Sequence, residues 1–347
     1  MIEWGVIILK TILITGGAGY IGSHTVVELL EQNYKVIIVD NLYNSSEESI
    51  RAIEKITKKK VKFYRADLRC RQSLEKIFSQ ERIDAVIHFA AMKAVGESVL
   101  CPLKYYNNNV SGTIQLLEVM EEHEVYNLVF SSSATVYDAS SGEGLTETHP
   151  RLATNPYGRT KIMIEDILSD LSISSTKWNI ISLRYFNPLG AHPSGEMGED
   201  PNGIPNNLVP YVTQVAVGRL DKVKVFGNDY PTPDGTGIRD YVHIMDLAQG
   251  HVRALQQLFY QQVGFEAYNL GTGNGYSVLE IIHCFEEVVG EKIPYEVTTR
   301  RPGDIATSYA VTNKAFERLN WKATKNIHDM CEDAWRWQKK YPNGFEK

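Results

Sequence analysis

Cysteine is scarce in this sequence: four residues in 347, at 70, 101, 284 and 331, with no C-x-x-C spacing among them. That excludes a disulfide framework or a thiolate zinc site, leaves no metal to expect, and fits a reducing compartment, so the cytoplasm is the expected location. No apolar run approaches the ~20 residues that a membrane span requires. Positive charge is also lacking, with 36 Lys and Arg against 42 Asp and Glu and a net charge of −6. Such a balance offers no general attraction to nucleic acid. The only basic run, Lys58-Lys59-Lys60, precedes a strand-like stretch and reads as a solvated loop. Internal repeats and low-complexity tracts are missing too. Met1 to Lys10 is odd: Val6–Leu9 is apolar, but too short for a signal peptide and without a basic flank or cleavage site. An extension of the first strand, or an ambiguous gene start, explains it better than targeting.

What is present is organised around Ile12-Leu13-Ile14-Thr15-Gly16-Gly17-Ala18-Gly19-Tyr20-Ile21-Gly22. An apolar strand runs into glycines at 16, 19 and 22, and an apolar-periodic helix follows through Val26, Val27, Leu29 and Leu30. This is a phosphate cradle. Gly16 permits a tight turn, Gly19 lets backbone approach a pyrophosphate, and Gly22 lets helix pack on strand, with free N–H groups aimed at the anion. The spacing is G-x-x-G-x-x-G, so the G-x-G-x-x-G fingerprint applies only in its mechanics. A second strand, Lys35–Val39, ends at Asp40, 18 residues past Gly22. An acid there accepts from an adenosine ribose and repels a 2′-phosphate, which favours NAD over NADP.

At this length one large domain or two fused ones are possible. Strand-like runs at Thr11–Thr15, Lys35–Val39, Val61–Tyr64, Ala85–Phe89, Leu128–Ser131 and Asn179–Leu183 alternate with helical stretches such as Ser73–Phe78 and Val110–Glu121. The pattern predicts an α/β fold with a doubly wound parallel sheet of the Rossmann kind. After Phe186 a Pro/Gly-rich stretch runs to Pro205. Beyond it, helices at Leu208–Gly218, Asp246–Tyr260, Ser277–Val289 and His328–Lys340 mix with short strands. We expect a cofactor lobe over residues 1–185 and a smaller, interleaved α/β substrate lobe over 186–347. His88, between Ile87 and Phe89, reads as a packed core histidine and is given no catalytic role.

The fifth strand leads into Ser131-Ser132-Ser133-Ala134, and further on comes Asn155-Pro156-Tyr157-Gly158-Arg159-Thr160-Lys161. Asn155 is a good N-cap and Pro156 a good first helical residue, so Tyr157 and Lys161 share one helix face. A tyrosine near its usual pKa of about 10 is a poor base at neutral pH. The lysine ammonium, with a positive nicotinamide ring nearby, favours the phenolate and moves it toward the range of general base catalysis.

These motifs, with Lys93-Ala94-Val95-Gly96-Glu97-Ser98, Leu183–Gly190, Val225–Tyr230 and Gly235–His243, resemble the extended short-chain dehydrogenase/reductase family, in its UDP-hexose 4-epimerase branch. The resemblance spans Lys10 to Phe345 and implies a catalytic set of Ser133, Tyr157 and Lys161. It implies NAD contacts at Gly16, Gly19, Tyr20, Ile21, Gly22, Asp40, Asn41, Asp67, Leu68, Phe89, Lys93, Asn109, Tyr157, Lys161 and Tyr185. A UDP-sugar is expected at Lys93, Ser133, Ala134, Tyr157, Phe186, Asn187, Asn207, Leu208, Val225, Phe226, Arg239, Arg301, Asp304 and Ser308. Asp138 departs from the family's usual glycine, a change of loop and not of chemistry.

The implied reaction is reversible epimerisation of UDP-galactose and UDP-glucose at C4, through a transient 4-keto sugar and NADH. Ser308, small where hexose-restricted members carry tyrosine, implies that UDP-N-acetylhexosamines are accepted as well. A homodimer through the regions 102–121 and 156–171 is also implied. Two other readings stand beside it. A 4,6-dehydratase or decarboxylase would need different acid–base groups after the fifth strand, and Ser132-Ser133-Ala134 carries no carboxylate. A non-catalytic dinucleotide sensor would be free to lose the tyrosine or the lysine, and both are present.

Overall fold

A computed structural model describes residues 9–138, 142–203, 205, 207–301 and 304–345. The apolar stretch Val6–Leu9 therefore falls largely outside the described residues, and the first strand begins at Thr11.

The first half alternates strand and helix. In order come β1 (Thr11–Thr15), α1 (Tyr20–Glu31), β2 (Lys35–Asp40), α2 (Glu47–Thr57), β3 (Lys62–Arg65), α3 (Arg71–Gln80) and β4 (Ala85–His88). Then follow α4 (Val95–Leu100), α5 (Pro102–Tyr105), a π-helical turn over Tyr106–Ser111, α6 (Gly112–Glu122), β5 (Asn127–Ser131), α7 (Pro156–Ser174) and β6 (Asn179–Tyr185). In the second half are β7 (Asn187–Leu189), α8 (Leu208–Ala216), β8 (Val223–Phe226), β9 (Ile238–His243), α9 (Ile244–Tyr260) and β10 (Phe265–Leu270). The chain closes with β11 (Gly275–Ser277), α10 (Val278–Val289), β12 (Tyr295–Thr298), β13 (Thr307–Ser308), α11 (Asn313–Leu319) and α12 (Ile327–Lys340).

Seven parallel strands form the main sheet in the order β10-β6-β5-β4-β1-β2-β3. Both faces are covered, which is why β1 reads as continuous Ile and Leu instead of alternating with polar residues. Ile12 and Ile14 face a core shared with α1 and α9, while Leu13 faces one shared with α3, α6 and α7. The six expected strands are present. The seventh, β10, comes from beyond residue 186, and α9 from the same region packs on α1. The sheet thus draws on both expected lobes. The order in which strands are added reverses between β1 and β4, and the crevice at their carboxyl ends is where such folds bind ligands.

In the region expected as the substrate lobe, β7, β11 and β13 all pair with β9, and β8 pairs with β12. Helices α8, α10 and α12 cover them around Val212, Val223, Ile281, Phe285 and Met330. Helix starts follow their caps: Asn155 Oδ1 accepts from Gly158 N at 2.9 Å, and Ser277 and Glu280 form a reciprocal capping box. Among the described residues no helix is long and apolar enough to cross a membrane, and no group of His, Cys, Asp and Glu could hold a metal.

Candidate active site

A cleft of about 1400 Å³, counted to its open mouth, runs over the carboxyl ends of β1, β2 and β4 to the start of α7. Its floor is the glycine loop. Gly16 has φ +70°, and a Cβ there would stand 2.7 Å from Ala90 N. A Cβ on Gly22 would stand 2.3 Å from Gly16 O, so helix and loop touch backbone to backbone. Over Gly19 only Gly16 O lies within 4 Å of such a Cβ, at 3.3 Å, leaving that side open. The first turn of α1 has neither a side-chain cap nor an acidic residue, so its N–H groups remain for an anion. These features fit a dinucleotide pyrophosphate.

The end of the cleft expected to take an adenosine is built on β2 and β3. Asp40 is buried and accepts from Ala18 N (3.1 Å), Leu42 N (2.8 Å) and Ser45 Oγ (2.9 Å). Burial raises its pKa, and those hydrogen bonds oppose the rise. Asn41 donates to Asp67 at 3.0 Å, and the Arg69 fork holds the Asp67 carboxyl well below the usual range. Ile21, Leu68 and Phe89 complete the apolar lining. Tyr20 lines the cleft too, but its hydroxyl donates to Gly190 O at 2.6 Å and ties the loop to the substrate lobe.

At the other end, Lys161 Nζ donates to Ser131 O at 2.7 Å and lies 5.9 Å from the Tyr157 ring centroid. The Tyr157 phenol stands beside Ser133, close enough for that hydroxyl to act on its pKa, and Ser133 Oγ accepts from Thr135 N and Thr135 Oγ1. Tyr185 shares a 3.0 Å hydrogen bond with Ser131. The three expected catalytic groups are therefore together. Their electrostatics differ from the sequence expectation. Burial raises the Tyr157 phenol far above its ordinary value, with Tyr185 adding to the rise and Ser133 opposing it, while burial lowers Lys161 to about 7. A dry site disfavours both charged forms, so lysine proximity alone does not yield a phenolate.

Asn109, expected as a cofactor contact, stands behind the cleft wall. It is 1% exposed; its Oδ1 accepts from Met92 N at 2.8 Å, and its Nδ2 donates to Met92 O and Thr160 Oγ1. The π-helical turn adds a residue to the helical repeat and changes which side chain faces the cleft, so Asn108 is the one that lines it.

The residues expected to meet the substrate divide similarly. Arg239 forms an ion pair with Asp304, not with its neighbour Asp240, which is buried and accepts from Thr272, Gly273 and Ala310 N–H groups. The Arg301 guanidinium lies 4.0 Å over the Phe226 ring. Val225 is fully buried in the lobe core, which leaves only its backbone for a ligand. Ala134 opens a short 3-10 turn after Ser133, and Phe186 packs beside it with Val136 and Tyr137. Asn187 is exposed at the start of β7, and Leu208 begins α8 behind the Asn207 cap. Ser308, 9% exposed, is the β13 register partner of Arg239.

One residue was not anticipated. Glu199 Oε1 accepts from both Lys93 Nζ (3.0 Å) and Asn207 Nδ2 (2.8 Å), bridging the cofactor cleft and the substrate lobe. Its only signal in the sequence is an acid inside the Pro/Gly-rich stretch after Phe186.

Comparison with known proteins agrees with this geometry. A family model described as GDP-mannose 4,6 dehydratase matches residues 13–334. The UDP-glucose 4-epimerase of Bacillus subtilis (strain 168) is 56% identical, covering 96% of this chain and 98% of that protein. The crystal structure of UDP-glucose 4-epimerase from Bifidobacterium longum, in complex with NAD+ and UDP, is 52% identical with a TM-score of 0.94, covering 97% of this chain and all of that one. That of the Stenotrophomonas maltophila enzyme, with bound NAD and formylated UDP-arabinopyranose, is 49% identical at the same TM-score, covering 96% and 99%. The chain belongs to the family which that model describes and, within it, to the UDP-glucose 4-epimerases.

Proposed function

We propose that the protein interconverts UDP-galactose and UDP-glucose at C4, with NAD as its cofactor. The observation that carries this reading is the meeting of Tyr157, Ser133 and Lys161 at one end of a dinucleotide cleft. When bound, NAD supplies a reversible hydride acceptor at the sugar C4 and a positive ring beside the phenol. Tyr157 takes the O4 proton and returns it, Ser133 holds O4 by a hydrogen bond, and Lys161 in its charged form offsets the phenolate. Arg239 and Arg301 suit a diphosphate, which they grip while the sugar above Tyr157 turns over. Asp304 is released from Arg239 when the substrate enters. Residues 132–134 lack a carboxyl group that could expel water from C6, which disfavours a dehydratase. Incubation with UDP-galactose tests the proposal. Formation of UDP-glucose to a fixed ratio from either side is expected, and no interconversion would refute it.

Asp40 serves the adenosine ribose. Asp40→Ala is expected to lower the NAD content of purified protein while the thermal midpoint stays near that of wild type in saturating NAD. An unchanged NAD content would remove Asp40 from the site.

Ser308 leaves room beside the sugar C2, so UDP-N-acetylglucosamine is also a substrate in this reading. Ser308→Tyr fills that space and should lower kcat/KM for the N-acetyl substrate at least tenfold, a steric cost of about 1.4 kcal/mol or more. The plain hexose should be nearly unaffected. Equal loss on both substrates would sink the gate.

Two copies of the chain are proposed to associate through the regions 102–121 and 156–171, on α5, α6 and α7. Leu103, Ile114 and Met163 are 81%, 36% and 42% exposed there. Sedimentation of a monomer at micromolar concentration would count against it. The exposed, unpaired thiols of Cys70 and Cys101 suit the cytoplasm.

A further inference from the structure

Behind the catalytic groups lies a buried polar cluster, around Glu165, that does not line the cleft. Glu165 stands four residues past Lys161 on α7 and is fully buried. Its Oε1 accepts from Ser132 Oγ (2.7 Å), Ser182 Oγ (2.9 Å) and Arg184 Nε (3.0 Å). Its Oε2 accepts from Arg184 Nη2 (2.6 Å) and Arg151 Nη1 (3.2 Å). Arg184 reaches on to Tyr137 Oη and Glu147 O. Ser132 immediately precedes Ser133. Along β6, Ser182 and Arg184 point to Glu165, while Tyr185 points to the opposite face and bonds Ser131.

We propose that Glu165 is a positioning residue for the reaction: through Ser132 and Arg184 it fixes the serine-bearing end of β5 against the helix face that carries Tyr157 and Lys161. Adhesion alone does not require this cluster, because an apolar pair of similar volume commonly holds a helix to a sheet as well as a buried ion pair does. The carboxylate adds direction. It takes hydrogen bonds from Ser132, just past the end of β5, and from two residues on β6 at once, and so sets the distance from Ser133 to the phenol two helical turns back along α7. Its charge also favours the Lys161 ammonium, acting against burial.

The inference rests on the epimerase reading, and wild type is assayed beside the variants to keep the two separate. The measurements are kcat, KM for UDP-galactose, NAD content and thermal midpoint, for Ser132→Ala and Glu165→Gln. Ser132→Ala cuts one strut and leaves the ion pair intact. It should lower kcat about tenfold, with KM within about twofold and an unchanged NAD content, since small misplacements of reacting groups cost rate before affinity. Glu165→Gln keeps the shape and should show the same split at about a hundredfold. If wild type turns over while both variants match its kcat, the proposal fails. It fails equally if kcat falls only in step with the folded fraction. Should Glu165→Gln not fold, Ser132→Ala decides alone. An inactive wild type would end both readings.

Discussion

Tyr157→Phe is expected to fold, keep its dinucleotide and lose about 10²–10⁴-fold in kcat, the usual worth of a general base. The ring is 6% exposed and phenylalanine fills the same space, so the fold loses only a hydroxyl. No neighbour can take over. The Lys161 amine is on Ser131 O, and both nitrogens of His88 are engaged by threonines. Turnover of UDP-galactose at equal NAD occupancy measures the loss. A variant that kept a tenth of wild-type activity would show that another group is the base.

Lys161→Met should lose activity on a similar scale, yet in dinucleotide-free protein it should melt above wild type at pH 6. Burial holds the Lys161 pKa at about 7, against an ordinary lysine value of about 10.4. The unfolded chain therefore binds this proton more tightly than the folded one. From pH 7 to about 10.4 the folded state has shed a proton that the unfolded state keeps, so wild-type stability rises across that window. Below pH 7 both states are charged and the full burial cost stands, on the order of a few kcal/mol. Methionine removes that cost at a loss of one hydrogen bond to Ser131 O, about 1.5–3 kcal/mol for a charged donor. Thermal melts at pH 6 and pH 9.5 should show the variant's advantage shrink or reverse as pH rises. A pH-independent gap would mean that the amine is solvated.

Much of this site was legible in the sequence because it depends on local rules. A strand, three spaced glycines and a helix start define the cradle within eleven residues, and the Asn155 cap with Pro156 sets the phase that brings Tyr157 and Lys161 together. What escaped depends on contacts between distant segments. β10 joins the sheet beside β6 after a long excursion, and nothing in Phe265–Leu270 says which edge it takes. The π-helical turn displaces Asn109 because Tyr106–Ser111 carries no mark of an extra residue. Arg239 finds Asp304, 65 residues on, instead of the aspartate beside it. Strand alternation within β8 would have turned Val225 inward beside Val223, had the strand been recognised. The lysine half of the electrostatic expectation is offset for a different reason. Pairing a base with a cation ignores how completely both are dried by the surrounding fold.

The histidine beneath the site has a polarity of its own. Thr113 Oγ1 donates to Asn109 O at 2.6 Å, so it can only accept from His88 Nε2 at 2.8 Å. The other ring nitrogen must then accept from Thr15 Oγ1 at 2.6 Å. Every proton in this row points one way, from β1 through the imidazole to the π-helical turn. A second proton on the ring would need Thr15 to reverse, and burial already lowers the His88 pKa to about 3. The row is thus held in a single orientation with the imidazole neutral. Across the pH range in which Lys161 titrates, His88 keeps its single proton and contributes no change of charge beneath the catalytic pair.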